Sequence, residues 1–150
     1  MIQRIQSLYL ILIVIAQSLI TQFNFVNFTV NGVDFNLNSN GIIDAKAIHS
    51  TEDSKQLILI VLAILFAIIS LALFKNRALQ IKFTKFISFV CLIQASFVGI
   101  STYHFFESNV ENLQLGVASF LILISGILAV LATKAIKKDD DLVKSVDRIR

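Results

Sequence analysis

The chain has 150 residues, 56% of them hydrophobic, with a mean hydropathy of +0.79. Most of the apolar residues fall in four charge-free blocks, so a water-soluble core could not absorb this much apolar surface and lipid has to be the solvent. Thirteen Lys and Arg against ten Asp and Glu give a net charge of +3. A basic total ordinarily raises nucleic acid as a partner, but these basic residues flank the apolar blocks, which excludes that reading in favour of membrane topology.

The first block, about residues 5–23, follows Arg4 and is long enough for a roughly 20-residue helix across a hydrocarbon core of about 30 Å. Val14, Ile15 and Ala16 resemble a signal-peptide cleavage site, but the apolar run continues through Ser18, Leu19 and Ile20 behind a single basic residue, which favours an uncleaved helix. Residues 24–55 form the one sizeable piece outside the blocks. There Asn31-Gly32, a dipeptide suited to the positive φ of a type I′ turn, joins FNFVNFTV to VDFNLN and predicts a β-hairpin. Val33, Phe35 and Leu37 alternate with Asp34, Asn36 and Asn38, so three apolar side chains share a face that something must cover: helix ends, headgroups or another protein. Asn40-Gly41 marks a further turn, and residues 42–55 have no clear period.

The remaining blocks, about 56–74, 86–106 and 113–133, complete four spans. Proline is absent from the chain, so a proline kink marks no hinged transporter helix. Residues 75–85 (KNRALQIKFTK) read as a basic loop between the second and third spans, and 107–111 as a tight antiparallel turn between the third and fourth. In the tail, 134–150, Leu142, Val146 and Ile149 fall on one helical face and predict an amphipathic helix that lies on the inner leaflet or docks to a partner. With both termini inside, eleven of the thirteen basic residues are inside and only Lys46 and Lys55 outside, as the positive-inside rule requires. The expected fold is therefore an all-α membrane protein, a four-helix antiparallel transmembrane bundle with a small hairpin-containing outer loop between the first two helices.

Within the spans, small residues mark packing faces: Cys91, Ala95 and Gly99; Ala63, Ala67 and Ser70; Ser125, Ala129 and Thr133. Gln17, Gln94 and Ser125 are the intramembrane polar candidates. Counted from the inner face at about 1.5 Å per residue, Gln94 and Ser125 share a depth of about 12 Å that would let them bond across the third and fourth spans. Gln17, at about 18 Å, is within reach of Ser101 or Ser119 if those helices adjoin the first. No Asp, Glu, Lys or Arg lies within a span, which argues against an ion-coupled pump. Cys91 is the only cysteine, so the chain has no CxxC redox site. His104 and Glu107, with Glu111, His49 and Asp44 in the outer segments, are zinc-capable residue types, but their spacing matches no metal motif and no metal is expected. No GxSxG serine or Gly-rich phosphate loop is present, so neither a catalytic residue nor a cofactor is assigned.

The opening MIQRIQSLYL, the KNRALQIK segment and the closing KAIKKDDDLVKSVDRIR resemble an uncharacterised Bacteroidota family of four-span integral membrane proteins, domain of unknown function family 4293. The resemblance runs end to end, with its specific signal in those three segments. It implies the inner membrane of a Gram-negative cell, a periplasmic hairpin, and no assigned reaction. The leading expectation is a non-enzymatic interaction or assembly subunit in the bilayer, with a membrane or cytosolic protein partner, no nucleic acid, and room for a homo-oligomer. Arg4, Arg77, Lys82, Arg148 and Arg150 would bind one partner, and the hairpin residues Val33, Phe35 and Leu37 another. The alternative is binding or transport of a small apolar or lipid ligand between helices near Gln17, Gln94 and Ser125. An enzyme using His104 and Glu107 comes third.

Overall fold

A computed structural model describes residues 3–30, 32–44, 50–52, 54–74, 76–106 and 110–147, with backbone alone at 3–4, 44, 50–52, 104–106, 110–111 and 146–147. The elements in chain order are α1 (Gln3–Ile20), β1 (Val26–Val30), β2 (Val33–Asn38), β3 (Gly41–Asp44), β4 (Ser50–Glu52), α2 (Lys55–Ala72), α3 (Arg77–Phe106), β5 (Val110–Leu115) and α4 (Val117–Asp147). α1 packs against α2 and α4, and α3 against α2 and α4, so the four helices close into a ring in chain order.

The inward face of every helix repeats by alternating steps of four and three residues. It comprises Gln6, Leu10, Ile13, Gln17 and Ile20 on α1, and Gln56, Ile60, Ala63, Ala67 and Ser70 on α2. On α3 it runs Gln80, Thr84, Ile87, Cys91, Gln94 and Val98, and on α4 Ala118, Ile122, Ser125, Ala129, Ala132, Ile136 and Asp139. A step averaging 3.5 residues keeps one narrow seam facing the partners along a whole helix, the packing of coiled coils and helical bundles. The outward faces are as apolar as the seam: Leu65, Leu92, Leu123 and Ile127 are 49%, 66%, 58% and 61% exposed. Burying glutamine while exposing leucine inverts the usual partition for a protein in water. By length and composition α2, α3 and α4 could each cross a membrane, whereas the apolar helix Ile5–Ile20 is shorter.

Both basic segments differ from the expectation. Residues 77–85 are the first turns of α3 rather than a loop, leaving only a short turn after α2. Asn76 starts the helix: its side chain accepts from the Leu79 amide (3.3 Å) and its carbonyl from the Gln80 amide (3.0 Å). The tail is helical to Asp147 as expected, but as the continuation of α4 rather than a helix of its own, and Ile136 within it is fully buried. At both places a run of charge marks the end of an apolar block and not the end of a helix.

The hairpin is real and forms part of a five-stranded antiparallel sheet of order β4-β3-β2-β1-β5. β1 and β2 pair Val26 with Leu37, Phe28 with Phe35 and Val30 with Val33, which places the alternating apolar set on one face. Gly32 has φ +74°, while Asn31 lies outside the described residues. The link between α3 and α4 is not a bare turn: it supplies β5, which pairs with β1 and bulges between Asn27 and Thr29. Asn112, the one described non-glycine residue with positive φ (54°), lies in that irregular stretch, and asparagine tolerates such a backbone.

The sheet is joined to the helices through Asn24 and Phe25. Their carbonyls accept from the first amides of α4 and its lead-in: Phe25 O from Gly116 N (2.8 Å) and Asn24 O from Ala118 N (3.2 Å). Ser119 Oγ also donates to Phe25 O at 2.7 Å. Helix amides that have no partner within the helix are thereby satisfied. Phe25, Val26, Phe28 and Leu37 belong to the same buried cluster as Leu10, Ile20, Ile60 and Ala118, so the apolar sheet face and the helix seams share one core.

Candidate functional site

A seam so rich in polar side chains needs partners for them, since an unpaired amide in an apolar interior costs about 1–3 kcal/mol. Gln17 and Gln94 are both fully buried and bond each other reciprocally across the diagonal of the ring. Gln17 Nε2 donates to Gln94 Oε1 (3.2 Å), and Gln94 Nε2 to Gln17 Oε1 (3.1 Å). Gln17 Nε2 also lies 3.6 Å from Cys91 Sγ. From α2, Gln56 Nε2 donates to the Gln94 carbonyl at 3.2 Å, so one point ties three helices together.

Gln56 Oε1 is buried and has no donor among the described residues. Flipping the amide would set two oxygens against each other, so the Gln94 carbonyl fixes this orientation. A cavity of about 100 Å³ lined by Leu37, Asn38, Gly41, Ile42, Gln56, Phe97 and Ser101 lies under the sheet. It has space for about three waters at roughly 30 Å³ each.

A second polar layer closes the end of the ring opposite the sheet. Gln80 Nε2 donates to the Ser70 carbonyl (3.1 Å), Ser70 and Thr84 hydroxyls lie 3.1 Å apart, and Thr84 Oγ1 donates back to the Gln80 carbonyl (2.7 Å). Gln6 Nε2 donates to the Ala135 carbonyl at 3.2 Å. At the rim, Arg77 Nη1 donates to the Asp139 carbonyl (2.9 Å) and Nη2 lies 3.0 Å from Asp139 Oδ2, an ionic contact off the line of a good hydrogen bond. These groups are neutral or paired and bonded to one another. The arrangement fixes helix register, and among the described residues the Cys91 thiol is the one ionisable group in the middle of the ring.

The expected partners of the intramembrane polar residues are corrected accordingly. Ser125 is buried but donates to its own helix at Leu121 O (2.8 Å), not to Gln94. Gln17 meets Gln94 in place of Ser101 or Ser119. The depth count assumed that the third span begins at Phe86; α3 begins nine residues earlier, which places Gln94 about 26 Å along its helix and Gln17 about 21 Å along its own. Of the small-residue stripes, Ala63, Ala67 and Ser70 are fully buried, whereas Gly99 is exposed and the α3 seam runs through Gln94 and Val98.

Among the proposed partner-binding residues, Arg77 is engaged with Asp139, while Lys82 is exposed. Leu37 is 4% exposed within the protein's own core, and Val33 and Phe35 are half-buried, Phe35 stacked on Phe28 with ring centroids 5.7 Å apart. Arg4 lies on α1, but its side chain is outside the described residues, as are Arg148 and Arg150 entirely. The side chains of His104, Glu107, Glu111, His49 and Asp44 also fall outside, and among the described residues no group of three metal-ligating side chains occurs.

Two surfaces were missed. The polar sheet face carries a cross-strand row of Asn36, Asn27 and Gln114 beside the Thr29–Asp34 hydrogen bond (2.8 Å), around a shallow cleft of about 320 Å³. The alternation in VDFNLN gave half of it, but pairing with β5 has no short-range signal. The other is an apolar trough of about 470 Å³ between α3 and α4, ending at Lys134.

The family described as Domain of unknown function (DUF4293) matches residues 2–149, and the chain belongs to it. Neither the curated proteins nor the solved structures contain a match.

Proposed function

Starting from membership of DUF4293, we propose that this chain is a non-enzymatic membrane scaffold. Its four helices cross the bilayer, the sheet presents a polar docking face on one side, and the basic ends of α3 and α4 present another. The observation that carries the reading is the mutual hydrogen bonding of Gln17, Gln94 and Gln56. A ring whose central polar groups are bonded to one another serves to hold its helices in register and offers a ligand no free hydrogen-bonding group among Gln17, Gln94 and Ser125. Function then lies at the two ends. The leucine-covered outer faces support insertion, and the basic residues at 75–85 and 134–150 support a cytoplasmic location of both termini in a bacterial inner membrane.

The test is photo-crosslinking in native membranes from Asn36, Gln114, Lys82 and Lys138, with lipid-facing Leu65 as control. Discrete protein adducts at sheet or basic positions and none at Leu65 are expected. Lipid adducts alone at every position would remove the scaffold reading. Charge reversal belongs at Lys82, Lys137 and Lys138 rather than at Arg77, whose loss disturbs the helix ends themselves.

The second reading, a lipid ligand, draws support from the trough on the outer side of α3 and α4 and not from the ring interior.

A further inference from the structure

The trough between α3 and α4 exists because three positions facing it are small. Ser88, Ala95 and Gly126 leave a furrow whose walls are Leu92, Leu123 and Ile127. Ser88 Oγ is 3.5 Å from the Gly126 carbonyl, so the furrow's one hydroxyl turns toward the protein. A Cβ at Gly126 would meet only Cys91 Cβ at 3.6 Å, an ordinary contact, so close helix packing does not require glycine here.

At its end away from the sheet the trough reaches Lys134, which also lines a second cleft of about 440 Å³ with Lys137, Lys138, Asp141, Leu142 and Ser145. These positions follow one another at three- and four-residue steps along α4, so the apolar furrow and the basic cleft form one continuous face. Asp139 is paired with Arg77, and Asp140 with Lys144 at 2.5 Å. Three ammonium groups with no ion-pair partner among the described residues therefore face one carboxylate, Asp141.

We propose that this face binds one anionic phospholipid, with an acyl chain along the furrow and the phosphate among Lys134, Lys137 and Lys138. The shape selects an elongated apolar occupant lying along the helices, and the excess positive charge at one end selects an anionic head. A neutral apolar molecule would leave the lysines without a counter-charge, and a second copy inserted the same way, related by a two-fold axis along the helices, would bring the same three lysines toward each other. The proposal rests on the membrane-spanning part of the function above, and it gives to a lipid headgroup the Lys137 and Lys138 that the function above places on a protein-docking face.

The full chain, purified in mild detergent, is titrated with phosphatidylglycerol and with phosphatidylethanolamine and read by native mass spectrometry. One retained phosphatidylglycerol per chain, preferred at least about tenfold, is expected. K137A/K138A should lose about tenfold of that preference while still binding lipid. G126L should weaken both lipids, because the new side chain grows into the furrow. Equal binding of the two lipids by the unaltered chain, or no change in K137A/K138A, overturns the site and leaves only annular lipid. Both lysines are on the surface, so this variant decides the question even where G126L fails to fold. Carbonate extraction of native membranes separates the two failures: release of the chain sinks the membrane reading itself, whereas a resistant chain without lipid preference sinks this site alone.

Discussion

Gln17 and Gln94 hold each other by two hydrogen bonds in a setting where neither has water to fall back on. Replacing Gln17 leaves both halves of the Gln94 side-chain amide unpaired, and replacing Gln94 leaves Gln17 Oε1 unpaired and Gln17 Nε2 with only the Cys91 contact, so each change to Leu is expected to cost about 1–3 kcal/mol. Removing both should cost clearly less than the sum, because two leucines of similar length leave nothing unsatisfied. Thermal unfolding in detergent of the two single variants and the double checks this; strict additivity would deny the pair its coupling. Gln56 provides the contrast. Its Nε2 is bonded but its Oε1 has no donor among the described residues, so Gln56→Leu removes an unsatisfied acceptor together with a bond and should be milder than Gln94→Leu. Gln17 and Gln94 are conspicuous in the sequence, whereas Gln56 sits at the edge of an apolar block and does not stand out, and the partners of all three were not legible. Partner assignment needs the axial position of each residue, and that depended on a helix start hidden inside a basic segment.

The elements meet most tightly where β5 passes into α4. A Cβ on Gly116 would lie 2.1 Å from the Asn24 carbonyl oxygen, a backbone atom that cannot move without breaking the bonds joining sheet to helix. Gly116→Ala is therefore expected to destabilise by about 1–3 kcal/mol. Gly99→Ala, at a position with nothing within 4 Å, should be neutral or slightly stabilising through helix propensity. Comparing the two by thermal unfolding separates close approach from a general dislike of alanine. This junction was illegible in the sequence because VENLQL does not alternate cleanly, and its pairing partner β1 lies about 80 residues upstream. The helices were legible as apolar blocks but not in their packing. In apolar blocks of this kind hydrophobicity surrounds the whole helix, and the four-and-three step is written instead in Gln, Ser, Thr and Ala, as on α2 from Gln56 through Ala63 and Ala67 to Ser70.

For the molecule as a whole, the distribution of polarity suits a bilayer more than water: polar groups bonded along the interior, apolar side chains outward, charge at one end and a polar sheet at the other. On the proposed function the sheet and the end of α4 face opposite compartments, and the positive-inside rule would put the basic α4 end in the cytoplasm. The single native thiol, Cys91, is 3% exposed within the ring and gives a low background for cysteine labelling. Asn36→Cys on the polar sheet face should react with a membrane-impermeant maleimide in intact spheroplasts, and Lys138→Cys only after permeabilisation. The reverse pattern would invert the orientation and move the lysine cleft to the outer leaflet, away from the negative surface potential that favours an anionic lipid there. Labelling of both positions without permeabilisation would place both ends of the molecule on one side, which no crossing by all four helices allows. The sidedness of these two residues thus decides which compartment each docking surface serves.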